Sequence, residues 1–240
     1  LLFVIYPLAR WLLKGHNERH ENWEKEEVER SKQTQDQGLV IVDEWAASHL
    51  LKDIRFYLMI PALLINPIIC TGLFFYIQNV AEAKDWTMHT IALSFSANAL
   101  ATMVCTLIGG GLVDKISAQR MLLFLPAPMI LALTILGTVS APVAAFAVMI
   151  LIGMSVGIFS ATSGSIWAEL YGTKHLGSIR SLFAMVMVLS TALMPPLMGY
   201  FFDRQVTIEA LSFGLIGYVV FAYLLSTPIS ISAWRKQLAR

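Results

Sequence analysis

Five long stretches of this chain contain no Asp, Glu, Lys or Arg, and this feature limits its possible folds more than any other. They cover residues 56–78, 88–113, 121–168, 181–202 and 211–234. An α-helix needs about 20 apolar residues to cross the hydrocarbon core of a bilayer. The third stretch is about twice that length and contains a turn signal at Ser140-Ala141-Pro142. The sequence therefore predicts an all-α integral membrane protein with six complete transmembrane helices.

The overall composition supports a membrane protein. Hydrophobic residues make up 57% of the 240 residues and charged residues 14%, which is too little charge to cover the surface of a soluble bundle. The net charge of +1 gives no reason to expect a nucleic-acid partner. Cys70 and Cys105 lie in apolar stretches without a neighbouring ligand residue. We interpret them as packing side chains rather than as a disulfide or a metal site.

The rest of the chain divides into three segments around a bundle at 56–234. Residues 1–13 begin with an apolar run too short to cross a bilayer, so we expect them to be the end of a truncated transmembrane helix. Residues 14–55 are rich in charged residues and Gln, which predicts a solvated linker. The last part of this linker either lies along the membrane surface or is a plain connector. Residues 235–240 form a short tail.

The distribution of basic residues predicts the orientation. When the six spans alternate, all of the 17 Lys and Arg residues except Lys84 and Arg204 fall on the side of the linker. Basic residues are enriched in cytoplasmic loops of membrane proteins. The linker and the C-terminus are therefore predicted to be cytoplasmic, in a cell membrane and most consistently a bacterial inner membrane.

A short polar segment follows the second predicted span and carries a recognisable motif. Its matching residues are Gly110, Leu112, Asp114, Lys115 and Arg120. Here the chain resembles the major facilitator superfamily, whose loop reads Gly-x-Leu-x-Asp-(Arg/Lys)-x-Gly-x-(Arg/Lys)-(Arg/Lys). Ser117 replaces the second glycine, and Gln119 replaces a basic residue. The resemblance implies the C-terminal six-helix half of a twelve-helix secondary transporter, with the missing N-terminal half as its partner.

The motif also has a chemical interpretation. A glycine lets two helix ends approach, a carboxylate is stabilised near a helix N-terminus, and basic residues bind acidic partners across an interface. The resemblance adds Glu169 and Arg180, between the fourth and fifth spans, as partners for Arg120 and Asp114. The predicted conformational latch consists of Gly110, Asp114, Lys115, Arg120, Glu169 and Arg180. In the alternative, Asp114 and Lys115 only end a helix in water.

The end of the fifth predicted span repeats the pattern. Gly199 is followed after three residues by Asp203 and Arg204, and the predicted topology places this copy outside. Two copies that end the middle helix of a three-helix repeat on opposite faces are typical of inverted-topology repeats. The sequence therefore predicts two inverted three-helix repeats.

Residues 153–157 match the Gly-x-Ser-x-Gly pattern of serine hydrolases. The match lies within a continuous apolar span, and Ser155 is predicted to lie about 18 Å deeper than His89, the one potential base within the predicted spans. We therefore predict no catalytic residue, no cofactor and no metal site. Gly153, Gly157 and Ala161 are interpreted as a small-residue packing stripe.

A carrier of this type binds its solute near the bilayer midplane, between its halves, on helices interrupted by Gly or Pro. Prolines interrupt the first predicted span at Pro61 and Pro67, and the fifth at Pro195 and Pro196. By resemblance, the first, second, fourth and fifth spans can face the cavity. The polar candidates on these spans are Asn66, Thr71, Ser94, Asn98, Thr102, Ser160, Thr162, Ser190 and Thr191. Hydrogen bonding between helices is the alternative role for each of them.

No charged residue lies in the middle of a predicted span, so a charged substrate or a proton relay would need groups from the missing half. The loop pattern resembles the bacterial branch near monocarboxylate carriers, without identifying a substrate. The predicted function is transport of a small, organic solute by alternating access, with proton coupling implied only by the resemblance. The alternative is a transporter-like sensor or scaffold that binds a solute without moving it.

Overall fold

A computed structural model describes residues 53–173 and 176–238, with side chains up to residue 227. The predictions for residues 1–13, for most of the linker at 14–55 and for the side chains of the tail at 235–240 lie outside this described part. The described part contains helices α1 (Ile54–Phe75), α2 (Ile77–Ala83), α3 (Met88–Ile116), α4 (Ala118–Met121), α5 (Pro126–Thr138), α6 (Pro142–Tyr171), α7 (Leu176–Asp203) and α8 (Ile208–Leu238).

Six segments of the described chain are long and apolar enough to cross a membrane. They are Ile54–Phe75, Met88–Ile116, Ala118–Thr138, Pro142–Tyr171, Leu176–Asp203 and Ile208–Thr227, and we number them as spans one to six. The predicted all-α fold with six spans is confirmed. The predicted break in the long third stretch is also confirmed, because span three ends at Thr138 and Pro142 is the first residue of α6.

The helix ends differ from the ends of the apolar runs. Span two continues through Asp114 and Lys115 to Ile116, and span five begins at Leu176, before the uncharged run starts. A charged residue ends an apolar run without ending a helix, because the helical backbone continues while the side chains of Asp114 and Lys115 are exposed at the helix end. The short helix α2 was not predicted; it follows span one after a break at Tyr76.

The main packing contacts between the six spans form a symmetric set. Span two packs on four, three on four, five on one, six on one, and three on six. Exchanging spans one, two and three with four, five and six maps this set of contacts onto itself. Such a pattern is expected of two repeats related by a pseudo-two-fold axis in the membrane plane, and it supports the predicted inverted repeats.

One end of the bundle, which we call the motif end, contains the start of α1 and the ends of α3 and α6. An aromatic cluster at this end joins α1, α6 and α7. The ring of Trp167 lies 5.5 Å from Phe56 and 5.2 Å from Phe183, measured between centroids. The hydroxyl of Tyr171 donates a hydrogen bond of 3.2 Å to Asp53, which caps α1. The start of span one is thereby fixed to the end of span four.

Two polar contacts hold the opposite end, which we call the distal end. Lys84, whose side chain is 1% exposed, places Nζ 2.5 Å from Oε1 of Glu209 at the start of α8. The indole N–H of Trp86 donates to the carbonyl of Ser140 at 2.9 Å. The connection between spans one and two is therefore fixed both to span six and to the turn between spans three and four.

Two of the three connections at the distal end, those between spans one and two and between spans five and six, share one backbone design. Asp85 and Gln205 follow the ends of their helices with φ of 55° and 58°. Two residues later, Thr87 and Thr207 accept hydrogen bonds from the N–H groups three residues ahead. A residue in the left-handed region closes one helix and a threonine N-cap begins the next. The predicted alternation of the chain between two ends is confirmed by these connections, whereas the membrane side of each end stays a prediction.

The most extensive helix contact in the described bundle joins α3 and α6, and it confirms the predicted small-residue stripe. A Cβ atom added to Gly157 would lie 2.7 Å from the Cβ of Cys105 and 2.7 Å from the carbonyl oxygen of Thr102. A Cβ atom on Gly153 would collide with the carbonyl oxygen of Asn98. Close approach of backbones at small residues is the usual basis of tight packing between membrane helices.

Candidate functional site

The predicted latch residues lie around the junction between α3 and α4. Ser117, the single residue between these helices, has φ 87° and ψ 148°. This region of backbone conformation is essentially restricted to glycine, and other residues pay about 1–3 kcal/mol to occupy it. The position is the one where the family loop carries its second glycine. The structure thus gives a physical reason for that glycine and shows a strained serine in its place.

Because of this strain, Ser117→Gly is expected to stabilise the protein by about 1 kcal/mol or more. The measurement is thermal unfolding of the purified protein in detergent. Ser181→Gly, inside α7, is the matched control and is expected to lower stability by roughly 0.5 kcal/mol, since glycine is a poorer helix former than serine. A lower midpoint for Ser117→Gly would contradict the strained conformation.

Glu169 connects the end of span four to the start of span three. Its Oε1 accepts a hydrogen bond of 2.7 Å from the backbone N–H of Ala118, and its Oε2 accepts one of 3.3 Å from Gln119. A carboxylate at a helix N-terminus satisfies N–H groups that the helix leaves unpaired. Glu169 therefore acts on the loop backbone itself, a contact that the sequence analysis did not predict.

The other charged latch residues lie on the same end of the bundle. Arg180 donates to the carbonyl of Gly164 on α6. Asp114 and Lys115 are exposed, and together with Ser165 and Glu169 they line a cleft of about 280 Å³. The structure thus brings the predicted latch residues to one end of the bundle. Their pairing across helices, Glu169 with Arg120 and Arg180 with Asp114, stays a prediction.

Near the motif, Gly109 is the glycine that allows close approach to α6 in the described bundle, and the part of Gly110 in the latch stays a prediction. A Cβ on Gly109 would lie 3.2 Å from the Cβ of Ala161 on α6, whereas nothing lies within 4 Å of a Cβ on Gly110. Gly109 and Gly110 lie on different sides of α3, and the motif alone does not indicate which of them faces α6. Ala161 was predicted as part of the stripe, and Gly109 is its partner.

The second copy of the motif has a different local structure. Asp203 is the last residue of α7, while Asp114 lies within α3, before its last two residues. The guanidinium of Arg204 lies over the ring of Tyr200, 4.6 Å from its centroid. The two copies therefore correspond in sequence and in their place within the repeats, but not in detailed geometry.

Most hydroxyl groups among the predicted cavity residues bond to their own helix. The acceptors are the carbonyl of Ile91 for Ser94, Asn98 for Thr102, Ile158 for Thr162, Val186 for Ser190 and Val188 for Thr191. This local bonding is common for serine and threonine within helices. Thr71 is half-buried and Ser160 is exposed. None of the nine candidates lines the cleft at the motif end or either of two apolar clefts in the described part of the protein.

The two candidate amides differ sharply. Asn98 on α3 donates from Nδ2 to the carbonyl of Met149 on α6 at 2.7 Å, so it joins two helices. Asn66 on α1 is 2% exposed, and neither Nδ2 nor Oδ1 has a hydrogen-bond partner in the described part of the protein. An unpaired buried amide costs about 1–3 kcal/mol. Asn66 is therefore a buried polar group that lowers the stability of the fold and forms no hydrogen bond in its described part.

Spans two and five expose most of their surface in the described bundle. Each buries only four residues, whereas span four buries twelve. Ser155 is among the buried residues of span four, and its hydroxyl lies 3.5 Å from the carbonyl of Leu125. His89 is exposed at the start of α3, so the hydrolase-like pattern does not bring these two residues together.

Comparison with known proteins gives one match. The model of the Major Facilitator Superfamily matches residues 1–195 of the chain. No curated protein matches, and neither does any solved structure.

Proposed function

The chain belongs to the Major Facilitator Superfamily and is a membrane transport protein, and from this premise we propose that it moves a small organic solute by alternating access. The observation that supports this proposal most directly is the environment of Asn66. Its amide is buried at mid-length of span one, without a hydrogen-bond partner in the described part of the protein. A polar group kept in this state at a cost is typical of a functional position in a membrane protein.

The backbone around Asn66 supports movement. Pro61 and Pro67 lie inside α1, and each removes the N–H group that would bond to the carbonyl four residues earlier. The carbonyl of Pro61 accepts a bond of 3.0 Å from the hydroxyl of Tyr218 on α8. We infer that α1 bends at these prolines and turns the Asn66 amide toward the solute in another state of the cycle.

The partner of this bundle in the proposal is an N-terminal six-helix half, packed against the exposed faces of spans two and five. The motif end faces the cytoplasm in this proposal, in agreement with the distribution of basic residues. Proton coupling, a bacterial inner membrane and a place near the monocarboxylate-type carriers are the finer parts of the proposal. They rest on the loop pattern and on the resemblance.

Asp114 gives a test of the latch. Asp114→Asn removes an exposed charge beside the cleft at the motif end and is expected to slow solute flux about tenfold while changing solute affinity much less. The measurement is uptake of a panel of labelled organic acids and neutral solutes into vesicles that contain the reconstituted protein. Binding of the same solutes is measured in detergent.

The control is Asp85→Asn, which removes an exposed charge at the distal end and keeps a residue type tolerant of positive φ. Flux of this variant is expected to match the wild type. Equal flux for Asp114→Asn and the wild type would contradict the latch. Solute binding by the wild type without any flux would contradict transport and favour a sensor.

A further inference from the structure

The distal part of span five, residues 197–203 of α7, follows two consecutive prolines. Pro195 and Pro196 lie inside α7, and each lacks the N–H group that would bond to the carbonyl four residues earlier. Prolines are a usual cause of bending within a helix. Span one has a similar arrangement, since residues 68–75 of α1 follow Pro67. Each of these two helices therefore has a distal part beyond a point where its hydrogen bonding is interrupted.

The two distal parts dock on each other through reciprocal contacts. On α1, Gly72 leaves space for Met198 of α7, whose sulfur would collide with a Cβ atom on that glycine. On α7, Gly199 leaves space for Tyr76, and a Cβ atom there would lie 2.5 Å from the tyrosine hydroxyl. The Tyr76 ring also packs on Phe202, with centroids 5.1 Å apart. Gly199 is the glycine of the second motif copy, so this docking gives that copy a structural role.

The contact with α1 is the main support of the distal part of α7 in the described bundle. Among the other helices, α7 packs most extensively on α1. Of the four residues that α7 buries, Met194 and Met198 both lie against Gly72, and methionine side chains adapt easily to a changed environment. Between this distal part and α8 lies an apolar cleft of about 310 Å³. The distal part of α7 therefore has room to move on the side of α8.

The distal part of α1 is held more firmly. The connection that follows it is fixed to span six by the ion pair of Lys84 with Glu209. It is also fixed to the turn between spans three and four by the hydrogen bond from Trp86 to the carbonyl of Ser140. Of the two docked parts, we therefore expect that of α7 to move.

We propose that residues 197–203 form a distal gate, which is docked on span one in the described state and leaves it when the distal side of the transporter opens. The gate bends at Pro195 and Pro196 toward the cleft beside α8. Alternating access requires a closure at each end of the solute path, and this gate lies at the end opposite the predicted latch. The gate rests on the proposed transport function, whereas the movement of α7 can be measured without any solute.

The movement is measured as a distance between two spin labels, by pulsed electron paramagnetic resonance on the protein in nanodiscs. The labels are attached to Asn79→Cys on α2 and Asp203→Cys at the end of α7, in a variant without the two native cysteines. Both labelled positions are exposed. The reference pair is Asn79→Cys with Ala141→Cys, which joins two connections of the distal end and does not include α7.

Gly199→Ala is expected to increase the population with the longer distance between residues 79 and 203 about fivefold or more, because the added methyl group has no room beside the Tyr76 hydroxyl. Adding Tyr76→Phe is expected to reverse this increase, since the next atom of the ring, Cζ, lies 3.5 Å from the same Cβ position. Gly177→Ala is the control. It lies in the same helix with nothing within 4 Å of its Cβ, and its distances are expected to match the wild type.

A second variant keeps the test decisive if Gly199→Ala folds poorly. Met198→Ala removes the side chain that fills the space at Gly72 and is expected to shift the distances in the same direction. Unchanged distances in both variants would overturn the proposal. An equal change in the reference pair would also overturn it, since the whole distal end would then have loosened.

The role of the movement in transport is tested by locking the gate. A reducible bifunctional thiol reagent that joins residues 79 and 203 is expected to lower solute flux about tenfold or more, and reduction is expected to restore it. The same reagent on the reference pair is expected to change flux little. Full flux in the locked protein would show that the movement is not a gate. Absence of flux before any cross-linking would contradict transport itself, and the measured distances would still show whether α7 moves.

Discussion

Gly157→Ala is expected to destabilise the bundle by about 3 kcal/mol or more, because the added methyl group has no room. Its Cβ would lie 2.7 Å from the carbonyl oxygen of Thr102 and 2.9 Å from the backbone nitrogen of Thr106. Neither atom can move away as the end of a side chain could. Helices α3 and α6 would have to separate, and they form the most extensive helix contact in the described bundle.

The same helix provides a matched control. Gly164 also lies within α6, and a Cβ there would meet nothing within 4 Å. Gly164→Ala is therefore expected to be neutral or to stabilise the helix by up to about 1 kcal/mol, since alanine is the better helix former. The measurement is the unfolding midpoint in detergent, with monodispersity checked by size-exclusion chromatography. Similar midpoints for Gly157→Ala and Gly164→Ala would rule out the close contact.

The small-residue stripe on α6 shows which part of the packing helical periodicity can predict. Residues 153, 157 and 161 recur every four positions, and that spacing predicts a packing face on one helix. Periodicity does not name the helix on the other side. The facing residues on α3 include Thr102, Cys105 and Gly109. Thr102 was singled out for a different role, Cys105 was interpreted as a packing side chain without a named partner, and Gly109 was not singled out. The structure supplies the pairing because contacts between spans are not encoded in the pattern of either span alone.

The existence of the spans was predictable because each one must satisfy its backbone internally and present an apolar surface to lipid. Their ends were not, since Asp114 and Lys115 lie inside α3 although they end its apolar run. Helix α2 was missed for a related reason. Its seven residues include Gln78 and Glu82, which form a hydrogen bond of 3.0 Å on the exposed side of the helix. Because of these polar residues, the sequence does not indicate that the other side of this short helix is buried.

The candidate site was predictable only as a set of residue types. Sequence identifies serines, threonines and asparagines on the spans, but a hydroxyl that bonds to its own helix has the same sequence signal as one that faces a solute. The family resemblance assigned Glu169 a charged partner, and that pairing stays a prediction; no sequence signal indicated the bonds that its oxygens accept from backbone N–H groups. Ser117 carried a readable signal, since a glycine in the family loop indicates a backbone that other residues occupy with strain.

Asn66→Leu is expected to abolish solute flux and, at the same time, to stabilise the protein by about 1–3 kcal/mol. The stabilisation follows because leucine has a similar size and carries no polar atoms, so the cost of the unpaired amide disappears. The loss of flux follows if that amide binds the solute in another state of the cycle. Stability is measured by thermal unfolding in detergent, and flux by uptake into vesicles with the solute panel used for Asp114→Asn.

Asn98→Leu is the matched control, because it is the same substitution on a neighbouring membrane helix. Here the amide donates to the carbonyl of Met149, so the change removes a bond between α3 and α6. Hydrogen bonds between membrane helices contribute about 0.6 kcal/mol on average and up to about 1.7 kcal/mol. Asn98→Leu is therefore expected to lower stability, with the opposite sign to Asn66→Leu.

The combination of signs separates three roles for Asn66. If Asn66→Leu is more stable and has lost solute flux, the amide of Asn66 destabilises the folded protein and is needed for transport. Such a loss of stability is common where function needs a strained or unpaired group. Higher stability with unchanged flux makes Asn66 an unpaired group without a part in transport. Lower stability means that the amide has a partner in the folded protein, and solute contact is then no longer needed to explain an asparagine at this depth.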